Sequence, residues 1–135
     1  MTVVVAWSAD EYGAAALAHG VAQAEQKHED LVVVNVTRGD ALVDRRYADD
    51  DEIARVTAAV KALGLEVRIA HGVVDDVAAA VVEEIRSTDA TLAVVGIRHR
   101  SPVGKMLMGS VAQRIILDAP CPVLAVKPEA GTDLV

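Results

Sequence analysis

The stretch TLAVVGIRHRSPVGKMLMGSVAQRIILDAPCPVLAVK, residues 91–127, decides the fold. Its opening run, 91–96, reads as a buried apolar strand that stops at Gly96. A basic loop follows, then Gly109 and Ser110 open a helix with Val111, Ile115 and Ile116 on its apolar side. Pro120 ends that helix, and 122–127 (PVLAVK) is a second strand. Strand, helix, strand in this order is a parallel crossover unit. A glycine at a helix start lets a ligand approach unpaired backbone N–H groups at the positive end of the helix dipole, a natural seat for phosphate.

The same alternation runs back to the N-terminus. Strands are predicted near 2–7 (TVVVAW), 31–36 (LVVVNV) and 66–71 (EVRIAH). The first helix between them carries Ala14, Leu17, Ala18, Val21 and Ala24 on one face, and Ser8 with Glu11 has capping-box spacing at its start. The second, near 49–63, shows Ile53, Val56, Val60 and Leu63 before Gly64 stops it. The third, near 75–87, opens with Asp75 and Asp76 and buries Val77, Val81 and Ile85. The pattern predicts an α/β fold: one open parallel five-stranded sheet with helices on both faces. The first, second and fourth strands are nearly all apolar and belong at the centre, whereas the alternating third belongs at an edge, which gives the order 3-2-1-4-5. The ligand crevice of such a sheet lies between strands one and four. Residues 1–128 read as the domain and 129–135 as a loosely ordered tail. Residues 37–48 (TRGDALVDRRYA) are the longest irregular stretch, either a lid or a plain solvated loop.

A chain of 135 residues supports one compact core without a disulfide or metal staple. Hydrophobic residues make up 53% of it, yet Phe is absent and aromatics reach only 2%, so Val, Ala, Leu and Ile must fill that core. A formal charge of −7, with Trp7, Tyr12 and Tyr47 scattered, excludes a general nucleic-acid or membrane-surface role. No apolar run approaches the roughly 20 residues of a membrane span, and no signal peptide is visible at Met1, so the expected location is the cytoplasm. Cys121, the single cysteine, excludes an intrachain disulfide. Between Pro120 and Pro122 it reads as a small buried thiol, with an intermolecular disulfide as the alternative.

Catalysis finds little support. The segment GIRHRSPVGK contains a Gly-Lys pair, but Met106 stands where a Walker A loop has Ser or Thr. WSADEY lacks the glycines of a pyrophosphatase-type turn, and His19, His28, His71 and His99 are isolated, with no metal-ligand cluster. The reading is a binding protein, not an enzyme. Its anion site draws on Arg98, His99, Arg100 and Lys105, four potential cations within eight residues of an acidic chain, with Arg114 one turn into the helix.

In its last third the chain resembles the universal stress protein family, whose nucleotide-binding members carry G-x2-G-x9-G-[ST] between the fourth strand and the fourth helix. Gly96, position 99, and Gly109 with Ser110 keep that spacing, and APCPVLAVK is similar to the family's closing strand. The resemblance implies a Rossmann-like fold of the adenine-nucleotide alpha-hydrolase type, ATP or AMP as ligand, magnesium only alongside bound nucleotide, and a homodimer joined through the fifth strand, Val123 to Val126. Two positions depart from the pattern: His99 replaces its second glycine, and Ser8 stands where an acidic residue follows the first strand in a V-D-x-S-like turn. Carried over position by position, the nucleotide site comprises Ala6, Trp7, Ser8, Val36, Val95, Gly96, Arg98, His99, Arg100, Lys105, Gly109, Ser110, Val111 and Ala112. Ser110, with Gln113 three residues on, also has capping-box spacing. Two functions stay open at this point. One is a non-catalytic stress-response protein that binds an adenine nucleotide or a phosphate-type anion; the other is a family member without nucleotide that acts as a dimeric protein-interaction module.

Overall fold

A computed structural model describes residues 1–39, 46–97 and 109–128. The elements are β1 (Thr2–Ala6), α1 (Glu11–Lys27), β2 (Asp30–Thr37), α2 (Asp50–Ala62), β3 (Val67–Val73), α3 (Val77–Ser87), β4 (Leu92–Gly96), α4 (Ser110–Asp118) and β5 (Val123–Val126). The five strands are parallel, in the order β3-β2-β1-β4-β5 that the apolar patterning predicts. β2 and β3 outrun their predicted ends because they pair without interruption to Thr37 opposite Val73. β1 stops at Ala6, so Trp7 is the first residue past the strand.

Strand side chains separate by parity. Val3, Val5, Leu31, Val33 and Val94 pack with Leu17, Val21, Val56 and Val60 on one face, under α1 and α2. Val4, Val32, Val34, Ala93 and Val95 pack with Val81, Ile85 and Ile115 on the other, under α3 and α4. With aliphatic side chains filling both layers, the buried half of the sheet is made almost wholly of β-branched residues suited to a pleated surface.

The α1 face keeps the predicted Leu17, Val21 and Ala24, but glycines and other alanines take the places of Ala14 and Ala18. Gly13, Ala16, Leu17, Gly20, Val21 and Ala24 are buried, while Ala14 and Ala18 are half-buried. Hydrophobic periodicity passes over glycine, yet here glycine is what lets the helix lie flush on the sheet. A Cβ on Gly20 would stand 2.2 Å from Val5 Cγ2, and one on Gly13 would stand 1.7 Å from the Ser8 carbonyl oxygen.

All four helix starts also differ from or sharpen the expectation. Asp10, not Ser8, caps α1, accepting the Gly13 N–H. Asp49 and Glu52 form a reciprocal capping box on α2 (2.8 and 3.2 Å), and Asp76 caps α3. Gly109 is the N-cap of α4, which makes Ser110 its first helical residue and removes the expected Ser110–Gln113 box; the Gln113 N–H goes to the Gly109 carbonyl.

Candidate nucleotide-binding cleft

The turn after β1 forms the middle of the site. Trp7 continues the sheet for one bond, its N–H donating to the Val34 carbonyl, and its ring is buried in the core beneath α1. Ser8 Oγ donates to Asp10 Oδ1 at 2.6 Å, and the same oxygen accepts the Gly13 N–H at 2.9 Å. Hydroxyl and acid therefore stand in the reverse order of a D-x-S turn. The carboxylate lies two residues later than the resemblance places it, at the helix cap, and the serine hydroxyl is its donor.

Asn35 interrupts an otherwise apolar strand, and its side chain organises one end of the site. Buried at 2% exposure, it donates Nδ2 to the carbonyls of Trp7 (3.0 Å) and Arg46 (2.8 Å), and its Oδ1 accepts the Ala48 N–H (2.8 Å). The Arg46 carbonyl also accepts the Ala9 N–H. His71 Nε2 meets the Ala48 carbonyl at 2.8 Å, and the His71 ring stacks on Tyr47 with centroids 4.2 Å apart. The last three residues of the candidate lid, 46–48, are thus pinned to the ends of β1, β2 and β3. Residues 40–45 lie outside the described residues.

The clamp lies beside Val36. Even-numbered residues of β2 turn their backbone groups toward β1: Asp30 N–H bonds the Met1 carbonyl, and the Val34 carbonyl bonds Trp7 N–H. The next rung would join Val36 N–H to the Trp7 carbonyl, which accepts Asn35 Nδ2; no Val36–Trp7 bond forms among the described residues. Val36 therefore presents a backbone donor and acceptor, side by side and without a backbone partner among the described residues, on the side where β1 has ended.

The two glycines of the motif do different work. A Cβ on Gly96 would stand 2.4 Å from the Tyr12 carbonyl oxygen, so Gly96 is where the end of β4 packs against the first turn of α1. A Cβ on Gly109 would meet nothing within 4 Å among the described residues, and its backbone, φ −61° and ψ 150°, suits any residue. Among the described residues, neither packing nor conformation requires glycine at 109. Arg114 is engaged elsewhere: its Nη1 grips both Asp76 oxygens at 2.8 and 2.7 Å, tying α4 to the start of α3. The guanidinium hydrogen bond holds the Asp76 carboxyl below its ordinary range, and Asp76 in turn raises Arg114. The sequence reading of Arg114 as an anion-site cation gives way to this ion pair.

These segments enclose a cleft of ≈ 220 Å3 at the carboxyl ends of β2, β1 and β4, the predicted crevice. Of the predicted site residues, Ala6, Trp7, Ser8, Val36, Val95, Gly96, Gly109, Val111 and Ala112 line it. Ser110 does not; it is exposed on α4. Arg98, His99, Arg100 and Lys105 lie outside the described residues. Sequence reasoning missed Asp10, Tyr12, Asn35 and Arg46, which also line the cleft, together with Val34, Val77 and Val81. A lone polar residue inside LVVVNVT was the available signal for Asn35; Arg46 had none, since only tertiary hydrogen bonds bring its loop there. Cys121, half-buried, has its thiol pKa raised by burial.

A parallel sheet of this order, with its crevice at the strand ends and a glycine-opened helix beside it, defines a protein of the open, parallel α/β class. Comparison with known proteins narrows the class: the Universal stress protein family matches residues 1–127, and the chain belongs to that family. A universal stress protein of Mycolicibacterium smegmatis is 47% identical over 126 residues, covering 93% of this chain and 97% of the relative. Among solved structures, a universal stress protein from Archaeoglobus fulgidus superposes with a TM-score of 0.70 at 27% identity, covering 93% of this chain and 97% of that one. Another from the same organism, in complex with dAMP, has a TM-score of 0.66 at 22% identity, covering 93% and 96%. Among the described residues, no helix is long and apolar enough to cross a membrane.

Proposed function

We propose that this universal stress protein is a non-catalytic, cytoplasmic adenine-nucleotide-binding protein of a stress response, with AMP or ATP as its ligand. The observation that carries the reading is the backbone edge of Val36 inside the cleft, without a backbone partner among the described residues. A carbonyl accepts from the adenine 6-amino group while an adjacent N–H donates to ring N1; guanine presents the opposite order of donor and acceptor. With the base against β2, the phosphate end reaches Gly109, where the missing Cβ and the start of α4 leave room for phosphoryl oxygens. Arg98, His99, Arg100 and Lys105 belong to the same reading as countercharge, and magnesium would enter only with a bound polyphosphate. The dAMP complex of a structural relative is consistent with this class of ligand.

Titration calorimetry with AMP, ATP, GMP and inorganic phosphate tests the proposal. AMP should bind and GMP should bind at least about tenfold more weakly, because the reversed donor order leaves two polar pairs unmade. Equal affinity for bare phosphate would reduce the cleft to an anion seat, and no binding by any of the four would favour the interaction module. Gly109→Ala should leave the protein as stable as before, or up to about 1 kcal/mol more stable, since nothing among the described residues lies within 4 Å of the added Cβ and φ is compatible. The same variant should lose at least about tenfold in AMP affinity as the methyl occupies phosphate space.

The chain also pairs with a second copy in this proposal. β5 is a sheet edge whose four residues, Val123 to Val126, are all apolar, and an unprotected apolar edge invites an added strand. Sedimentation equilibrium at micromolar concentration should give the dimer mass, and Ala125→Lys, on an exposed edge position, should shift it to monomer. A wild-type monomer would refute the arrangement.

A further inference from the structure

We infer that a second cavity, between α1 and α2 and behind the Ser8–Asp10 turn, binds a free α-amino acid with an apolar side chain. Its volume is ≈ 200 Å3, and its walls come from that turn, from Ala14 and Leu17 of α1, and from Glu52, Arg55 and Val56 of α2. None of these five helix residues lines the strand-end cleft. The turn is the partition between the two spaces, since Trp7, Ser8 and Asp10 border both. Trp7 follows Val3 and Val5 onto the α1–α2 face, so its ring lies on the side of the second cavity.

The inner wall is apolar and short of bulk. Leu17 and Val56, each 1% exposed, meet there with Trp7, and half-buried Ala14 is too small to close the gap. An aliphatic cavity of about 150 Å3 admits a benzene-sized guest, so this one has room for a leucine side chain. The charges around it do not satisfy one another. Glu52 stands three residues before Arg55 on α2, the spacing of a helical ion pair, yet its Oε1 turns back to the Asp49 N–H in the capping box. The exposed Arg55 guanidinium is left without a hydrogen bond or ion pair among the described residues. Asp10 commits Oδ1 to Ser8 and Gly13, and its Oδ2 has no partner among the described residues. A simple carboxylate would meet Arg55 but also two acids; a simple amine would meet the acids but also Arg55. A zwitterion suits both signs at once, its carboxylate on the Arg55 fork and its ammonium on the second oxygens of Glu52 and Asp10.

Trp7 is the single tryptophan of the chain, so its fluorescence reports directly on this cavity. The full chain is titrated with L-leucine, L-leucinamide, 4-methylpentanoate and glycine. Leucine should give a saturable change with its midpoint below about 10 mM. The other three lack the carboxylate charge, the ammonium and the apolar side chain in turn, and each should bind at least about tenfold more weakly. Arg55→Gln, at an exposed position, removes the fork and should bind leucine and leucinamide within about threefold of each other. Ala14→Leu fills the cavity and should abolish the leucine response, with the thermal midpoint as the check that it folds. No saturable response to leucine, equal binding of leucine and leucinamide by the wild type, or an undiminished response in Ala14→Leu would overturn the inference. Each of these results leaves the nucleotide reading of the strand-end cleft untouched.

Discussion

Gly13→Ala is expected to destabilise the protein by at least about 3 kcal/mol, the upper range for forcing an atom into a filled site. The added Cβ would lie 1.7 Å from the Ser8 oxygen and 2.5 Å from the Ser8 nitrogen and carbonyl carbon. Backbone, unlike a side chain, cannot escape by rotation. Either α1 lifts from β1 or the Ser8–Asp10 turn opens, and both break the Asp10 cap. Urea denaturation followed by circular dichroism should show the loss, with a fall in thermal midpoint of about 10 °C for a chain of this size. The informative control is the same substitution at Gly109, where the methyl meets nothing within 4 Å among the described residues. If Gly13→Ala matches Gly109→Ala in stability, the close seating of α1 on β1 is wrong.

The second large effect is expected at Asn35. Asn35→Ala leaves the Ala48 N–H without its acceptor and the Trp7 and Arg46 carbonyls without the Nδ2 donor, in a place only 2% exposed. Unmet buried polar groups of this kind make a cost of about 3 kcal/mol the expected result. The loss has a local signature besides: the Ala48 amide should lose most of its protection from hydrogen exchange, while amides in the middle of β1 and β4 stay protected. Without Asn35 the turn at Trp7 and the Arg46–Ala48 segment lose the side chain that holds them beside the Val36 edge assigned to adenine. AMP affinity should therefore fall beyond what partial unfolding accounts for. An Asn35→Ala protein with wild-type stability and a still-protected Ala48 amide would show that the clamp does not hold the loop.

These two residues mark the limit of what a linear reading reaches. The element order and sheet order were legible because apolar runs of strand length alternate with amphipathic runs closed by Gly64 and Pro120, and because parallel strands admit few connections. Gly96 and Gly109 were legible as a spaced pair, but not as unlike members of it. One is fixed by the Tyr12 carbonyl 2.4 Å from its missing Cβ, and the other meets nothing within 4 Å among the described residues. Ser8 and Asp10 were each visible; which of them caps α1 depends on a turn whose shape Gly13 sets from three residues away.

The sequence alone determined the α/β class, the parallel order, the place of the crevice and the resemblance to the universal stress proteins, all of which follow from local patterning and short-range stereochemistry. Tertiary structure decided the rest. It drew Arg114 to Asp76, pinned Arg46 beside the cleft, and set the Asn35 amide on the Trp7 carbonyl. The physical reason is that hydrogen-bonding groups are assigned by competition among partners far apart in the chain. Trp7 and Asn35 are 28 residues apart, and Asp76 and Arg114 are 38 apart, so neither pairing leaves a mark in the periodicity of its own segment.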